Sequence, residues 1–120
     1  MKQGRKPTGG KYHQRRKKKL HEKQRQPTRT TIGEPRRKKT AGQGHTKKTR
    51  SLKENQVNLI KDKKTIKTEI KNVIETPQNR FFARSNLLAR GSIIETAEGK
   101  ARITNRPSQE GHVNAVLVKE

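Results

Sequence analysis

Apolar residues are distributed unevenly along this chain of 120 residues. Residues 1–54 contain only six of them, and Gly or Pro interrupts this half often enough that no period of 2 or 3.6 is sustained. Only Gln14–Gln26 is free of Gly and Pro for long enough to consider a helix, and its one apolar residue is Leu20. We therefore expect an irregular extension, with Gln14–Gln26 as coil unless a partner neutralises its charge.

From residue 55 onward the apolar residues recur at strand spacing. Gln56–Ile60 and Thr65–Ile70 flank a charged turn at Lys61–Lys64, and the second run alternates apolar with charged positions. A break in that alternation predicts a bulge near Asn72, and Pro77 is expected to end the strand.

The C-terminal part contains the clearest hairpin signal. Ser92–Thr96 and Lys100–Asn105 are joined by Ala97–Gly99, whose glycine suits a positive φ in a three-residue loop. The last strand, Val113–Val118, is so rich in apolar residues that we expect burial on both faces. Asn79–Ala89 fits either a short helix or a packed loop.

These elements predict a mainly β fold. Five or six short strands in about 65 residues indicate a small closed or partly open β-barrel, or a sandwich, and closure removes exposed strand edges. The expected organisation is an irregular basic extension over residues 1–54, ordered only on a binding partner, and a barrel domain over residues 55–120. We call residues 1–54 the basic extension.

The charge distribution indicates that a protein with this predicted fold is a binding protein. The formal net charge is +22; the basic extension has 20 Lys and Arg against three acids (+17), and the other 66 residues have 12 against seven (+5). A cationic segment that cannot form a core needs a polyanion as its partner.

Composition excludes several other classes of protein. The extension lacks the bulky apolar anchors of a membrane-surface segment, and no transmembrane run or secretory signal is present. The absence of Cys excludes disulfides and thiolate metal sites and fits a reducing compartment. The four His lack metal-ligand spacing and the acids are scattered, so we expect no metal, no cofactor, no small-molecule substrate and no catalysis.

The candidate nucleic-acid contacts form three basic clusters in the extension, at residues 4–19, 25–39 and 42–50. Lys and Arg neutralise phosphates and release counterions, while Gly9 and Gly10 let the backbone approach a sugar-phosphate chain. The alternatives are a flexible tail or nuclear-import signal for the first cluster and a simple linker for the third. The candidates, with two from the barrel, are Arg5, Lys6, Thr8, Gly9, Gly10, Lys11, Arg15, Arg16, Lys17, Lys18, Lys19, Arg25, Thr28, Arg36, Arg37, Lys38, Lys39, Lys47, Lys48, Arg50, Arg84 and Arg106.

Aromatic residues indicate the mode of recognition. Only Tyr12, Phe81 and Phe82 are present, and we expect the two Phe in the core. With few rings for base stacking, recognition of phosphates and shape in a folded nucleic acid is favoured over base readout.

Three segments resemble a known family. They are GRKPTGGKYHQRRKKK, RQPTRTTIGEPRRKK and NLLARGSIIETAEGKARITNRPSQEGHVNAVLV, and together they resemble the short archaeal form of ribosomal protein S8e. The resemblance implies a cytoplasmic structural component of the small ribosomal subunit, with a small β-barrel and a basic arm on ribosomal RNA. It also implies neighbouring small-subunit proteins as partners.

The leading hypothesis is therefore a non-catalytic protein that binds small-subunit ribosomal RNA. Its arm would pin RNA helices, and the barrel would add secondary contacts from Arg84, Arg90, Arg102 and Arg106. A free nucleic-acid-compacting protein or RNA chaperone explains the charge equally well. An enzyme acting on RNA would need an acid or His cluster that the sequence lacks.

Overall fold

The structure is a computed structural model that describes residues 4–13 and 15–118. Within those residues the chain forms eight strands, two short helices and one turn of 3-10 helix at Leu20–Glu22. The strands are β1 (Thr31–Ile32), β2 (Arg36–Ala41), β3 (Lys47–Glu54), β4 (Gln56–Lys61), β5 (Lys64–Glu75), β6 (Ile93–Thr96), β7 (Gly99–Ile103) and β8 (Asn114–Leu117). The helices are α1 (Arg80–Arg84) and α2 (Pro107–Glu110).

Strands β4 to β8 form a closed barrel, which confirms the mainly β prediction. Successive strands are antiparallel, and β8 closes the barrel by pairing in parallel with β4. Inward positions of the strands supply the core, in which Leu59, Ile94 and Ile103 are fully buried. Each such side chain contributes about 1.5–3 kcal/mol through burial, so this core is the main source of stability.

The predicted hairpins are present. Asp62 and Lys63 connect β4 to β5 with φ values of 46° and 68°, the left-handed pair that a two-residue hairpin turn requires. The β5–β6 register shifts between Ile70 and Asn72, which confirms the bulge. In the β6–β7 hairpin, Thr96 pairs directly with Gly99, so the connection is one residue shorter than expected; Gly99 has the predicted positive φ, 123°.

The prediction that β8 is buried on both faces is wrong. Val113 and Ala115 are buried, but Val116 and Val118 are each 40% exposed. The strand forms part of a single barrel wall, so alternate side chains point to the core and to solvent.

Asn79–Ala89 forms a short helix followed by a packed loop. The Asn79 side chain caps α1 by accepting from the backbone N–H of Phe81 at 2.9 Å, and Leu87 and Leu88 after the helix are buried. The expectation that both Phe lie in the core is wrong, because Phe81 is 54% exposed and Phe82 is only half-buried. The helix has little more than one turn, and it lies on the outside of the barrel with one ring facing solvent.

Three strands lie in the segment that was expected to be irregular. β1, β3 and β2 form a second sheet in that order, with β1 parallel and β2 antiparallel to β3. The buried Thr30 joins this sheet to the barrel: its hydroxyl donates to the Ser51 carbonyl at 2.7 Å, and its own carbonyl accepts from the Leu88 N–H at 2.8 Å. The domain boundary between residues 54 and 55 stays a prediction.

Candidate nucleic-acid interface

The first basic cluster forms a small backbone loop. Arg5 pairs with Lys11, the Lys6 N–H donates to the Gly10 carbonyl at 2.9 Å, and the Gly9 N–H donates to the Lys6 carbonyl at 2.8 Å. Gly9 has a φ of 79°, which a residue with a Cβ adopts at a cost. The sequence Lys6–Gly10 therefore turns the chain back on itself and places the side chains of Arg5, Lys6 and Lys11 around one exposed loop.

The second run, Arg15–Lys19, is exposed and leads into the 3-10 turn. Arg16 donates to both oxygens of Glu22, at 2.8 and 2.5 Å, and the Lys19 backbone N–H donates to the same carboxylate at 2.9 Å. The Arg16 side chain lowers the pKa of Glu22, helped by the Lys19 N–H, while the carboxylate raises the pKa of Arg16. Within the described chain, no other member of this run has an acidic partner.

Strands β2 and β3 form an antiparallel pair that we call the cationic ribbon. Lys38 lies directly opposite Arg50, and Thr40 lies opposite Lys48. Like charges facing each other across a ladder repel, so the free ribbon carries an electrostatic cost that an anion would remove. Its exposed cations are Arg36, Arg37, Lys38, Lys39, Lys47, Lys48 and Lys53.

Two cations of the ribbon donate to other side chains of the protein. Arg37 donates from Nη2 to Oε2 of Glu54 at 3.1 Å, and this carboxylate is only 2% exposed. Arg50 is half-buried and donates to the Thr28 hydroxyl at 3.4 Å. Arg25 is exposed in the extended segment before β1. Arg37 thus pairs with an acid of β3 within the ribbon, and Arg50 joins the ribbon to the segment before β1, whereas the other ribbon cations face solvent.

The barrel contributes a separate group of arginines around α1. The Arg84 guanidinium lies 5.9 Å from the centre of the Phe81 ring. Arg106 precedes α2 and lines a cavity of about 330 Å³ together with Arg29 and Arg90. Arg102 is exposed on β7, where it shares a shallow depression with Arg90. The structure therefore brings together Arg90 and Arg106 but does not place Arg84 in the lining of that cavity.

Sequence reasoning missed two arginines of this group. Arg80 lies 5.2 Å from the centre of the Phe81 ring, and Arg29 lies 6.0 Å from the centre of the Phe82 ring. The sequence contains a signal for the first, because on a helix Arg80 and Arg84 flank Phe81 at spacings of one and three residues. The position of Arg29 depends on how the extension crosses the barrel, so no local pattern reports it.

The chemistry of the site is that of charge neutralisation. Among residues 4–13 and 15–118, no three His, Cys, Asp or Glu side chains gather into a possible metal site. No helix of this part of the chain is long and apolar enough to cross a membrane. What the geometry offers is a loop, an exposed run and a ribbon, each presenting several cations for polyanion binding.

A small β-barrel with a long cationic extension defines a class of non-catalytic polyanion-binding protein, and comparison with known proteins identifies the family. The family model described as Ribosomal protein S8e matches residues 1–118, so the chain belongs to the ribosomal protein S8e family. It is 43% identical over 120 residues to the small ribosomal subunit protein eS8 of Haloarcula marismortui, covering 98% of each chain. It is 41% identical to the protein of that name from Halorubrum lacusprofundi, covering 95% and 93%, and 39% identical to that of Methanococcoides burtonii, covering 96% and 94%.

Family membership settles the general role. The chain is a structural ribosomal protein of archaeal type, a cytoplasmic component of the small subunit, and not an enzyme. Ribosomal RNA and neighbouring ribosomal proteins are its general partners. This confirms the family predicted from the three sequence segments.

Proposed function

We propose that the basic extension, including the cationic ribbon, binds small-subunit ribosomal RNA and holds RNA segments together within the subunit. The observation that carries this proposal is the Lys38–Arg50 pair, two cations placed opposite each other on a ladder with no acid between them. Such an arrangement favours a state in which phosphate lies between the strands' side chains.

The three parts of the extension support different contacts. The Lys6–Gly10 loop exposes backbone and cations together, which suits close approach to a sugar-phosphate chain. Arg15–Lys19 is exposed and belongs to no helix or strand, which suits a path between RNA helices. The ribbon is linked to the barrel domain through Thr30, which bonds both Ser51 and Leu88, so we expect it to orient the other two contacts relative to that domain.

A charge-reversal experiment tests the proposal. Lys17→Glu combined with Lys18→Glu changes the exposed run by four charge units, and Lys64→Glu combined with Lys67→Glu makes the same change on the β4–β5 hairpin. We expect the first variant to be depleted from small subunits on a sucrose gradient in moderate salt, while the second co-migrates with them.

Thermal unfolding of both variants serves as the control, since all four lysines are exposed and the barrel should be unaffected. Equal incorporation of the two variants would contradict the proposal. Migration of the natural chain with bulk nucleic acid instead of small subunits would favour the rival nucleic-acid-compacting role.

A further inference from the structure

Helix α1 presents an aromatic ring to solvent, although the sequence predicted that this ring would lie in the core. Phe81 is 54% exposed, while Phe82 turns toward the barrel and is half-buried. Asn79 caps the helix, and the buried Leu87 and Leu88 fix the loop that follows it. The outward direction of Phe81 therefore follows from a defined local structure.

The surroundings of this ring are strongly cationic. The guanidinium groups of Arg80 and Arg84 lie 5.2 and 5.9 Å from its centre. The next ring, Phe82, borders the cavity lined by Arg29, Arg90 and Arg106. Among the described residues that form α1 or line this cavity, none is acidic.

We propose that Phe81 is a stacking platform for an unpaired base of ribosomal RNA, with Arg80 and Arg84 contacting the phosphates on either side. This inference rests on the proposed function and adds base contact to it. Sites for single-stranded nucleic acid combine an exposed ring with neighbouring cations, which is the arrangement at α1.

Replacing the contacts of Arg80 and Arg84 with the Phe81 ring by a stacked base should lower the free energy. An exposed guanidinium interacts weakly with a ring, and a stacked base interacts more strongly. A guanidinium displaced from the ring remains within reach of the phosphates of the same nucleotide. Paired bases in an RNA helix are covered on both faces, so the ligand is a loop, a bulge or a strand end.

A tryptophan probe tests the platform directly, because the chain contains no Trp. In the full chain carrying Phe81→Trp, we expect a single-stranded ten-uridine RNA to quench the indole fluorescence. A duplex of the same length and a polyphosphate of equal charge should leave it unchanged. Ile60→Trp, at a site that is 42% exposed on β4, is the matched control and should show no quenching with any of the three.

Affinity provides a second readout. Phe81→Leu should weaken binding of the single-stranded RNA by about 5- to 150-fold, the equivalent of one lost stacking contact. Phe81→Tyr should retain that affinity, and none of these changes should alter binding of polyphosphate. Unchanged affinity of Phe81→Leu, or equal quenching by polyphosphate, would overturn the platform. Quenching by polyglutamate in preference to RNA would overturn it as well, by assigning the patch to an acidic protein.

These experiments distinguish an incorrect stacking platform from an incorrect proposed function. If the natural chain binds small-subunit ribosomal RNA but Phe81 gives none of these effects, only the platform is wrong. If the chain shows no salt-dependent binding to that RNA, the proposed function itself is wrong.

Discussion

At the scale of single residues, the Arg37–Glu54 pair is asymmetric. Glu54 is buried, whereas more than half of the Arg37 side chain reaches solvent. Removing the arginine leaves a buried carboxylate without a charged partner, while removing the charge of Glu54 leaves an arginine that water can solvate. The two substitutions should therefore have unequal costs.

We predict that Arg37→Met lowers the free energy of unfolding by about 2–3 kcal/mol and that Glu54→Gln lowers it by about 1 kcal/mol. Urea unfolding of the RNA-free protein measures both. Equal losses of unfolding free energy, or a larger loss for Glu54→Gln, would show that the buried Glu54 carboxylate is not stabilised by Arg37.

The Arg16–Glu22 pair makes a prediction about pH. Because Arg16 lowers the pKa of Glu22, the contact contributes stability above the ordinary Glu value of 4.5 and loses it as pH falls through the lowered pKa. Carbon-13 NMR should give Glu22 a titration midpoint below 4.5, and Arg16→Gln should move it upward. A midpoint unaffected by Arg16→Gln would show that the pair does not persist in solution.

At the scale of elements, α2 holds β3 against the barrel through a close contact. A Cβ at Gly111 would lie 2.8 Å from Cγ2 of Thr49, and Gly111 has a φ of 76°. Gly44 has a similar φ of 65° but open space around it, so the two positions separate backbone strain from steric overlap.

Gly111→Ala should lower the free energy of unfolding by about 2–4 kcal/mol, and Gly44→Ala by about 1–2 kcal/mol, because only the first adds overlap to backbone strain. Thr49→Ser, which removes Cγ2, should recover part of the Gly111→Ala loss. Chemical denaturation of the three variants and the double variant measures these values. Equal losses at the two glycines would mean that β3 and α2 do not pack as closely as described.

In the cationic ribbon, repulsion between Lys38 and Arg50 should lower the stability of the RNA-free protein, and the same charges should favour RNA binding. Lys38→Glu places an acid opposite Arg50, so the RNA-free ribbon should gain about 0.2–1 kcal/mol. Amide hydrogen exchange along β2 and β3 measures this gain. The same variant should bind small-subunit ribosomal RNA more weakly and with a shallower salt dependence.

Lys67→Glu, on the outer part of the barrel hairpin opposite Asn58, is the control for a general effect of charge. If Lys38→Glu and Lys67→Glu weaken RNA binding equally, the ribbon has no special role.

The sequence predicted the elements whose signals are local. Parts of β4, β5 and β7 alternate apolar and polar residues, and the bulge near Asn72 breaks that alternation visibly in β5. β2 and β3 carry almost no apolar residues, and they are ordered by docking at Thr30, Thr49 and Ser51 rather than by a pattern. The exposure of Phe81 likewise depends on where α1 lies, so composition alone placed it wrongly in the core.

At the scale of the whole molecule, the protein is too extended to be a globule. Its radius of gyration is 21.8 Å and its extents are 73 × 35 × 24 Å. A compact chain of this length has a radius of about 14 Å. The basic extension accounts for most of the net charge and has no core of its own, so its surface is available for contacts along a second molecule.

Ultraviolet cross-linking of intact small subunits, with mass spectrometry of the linked peptides, tests the central claim most directly. It needs no substitution and reports contacts in the assembled particle. We predict that the peptides cross-linked to ribosomal RNA come mainly from residues 4–54, and include the Arg15–Lys19 run and the cationic ribbon. Cross-links confined to residues 55–118 would contradict the account.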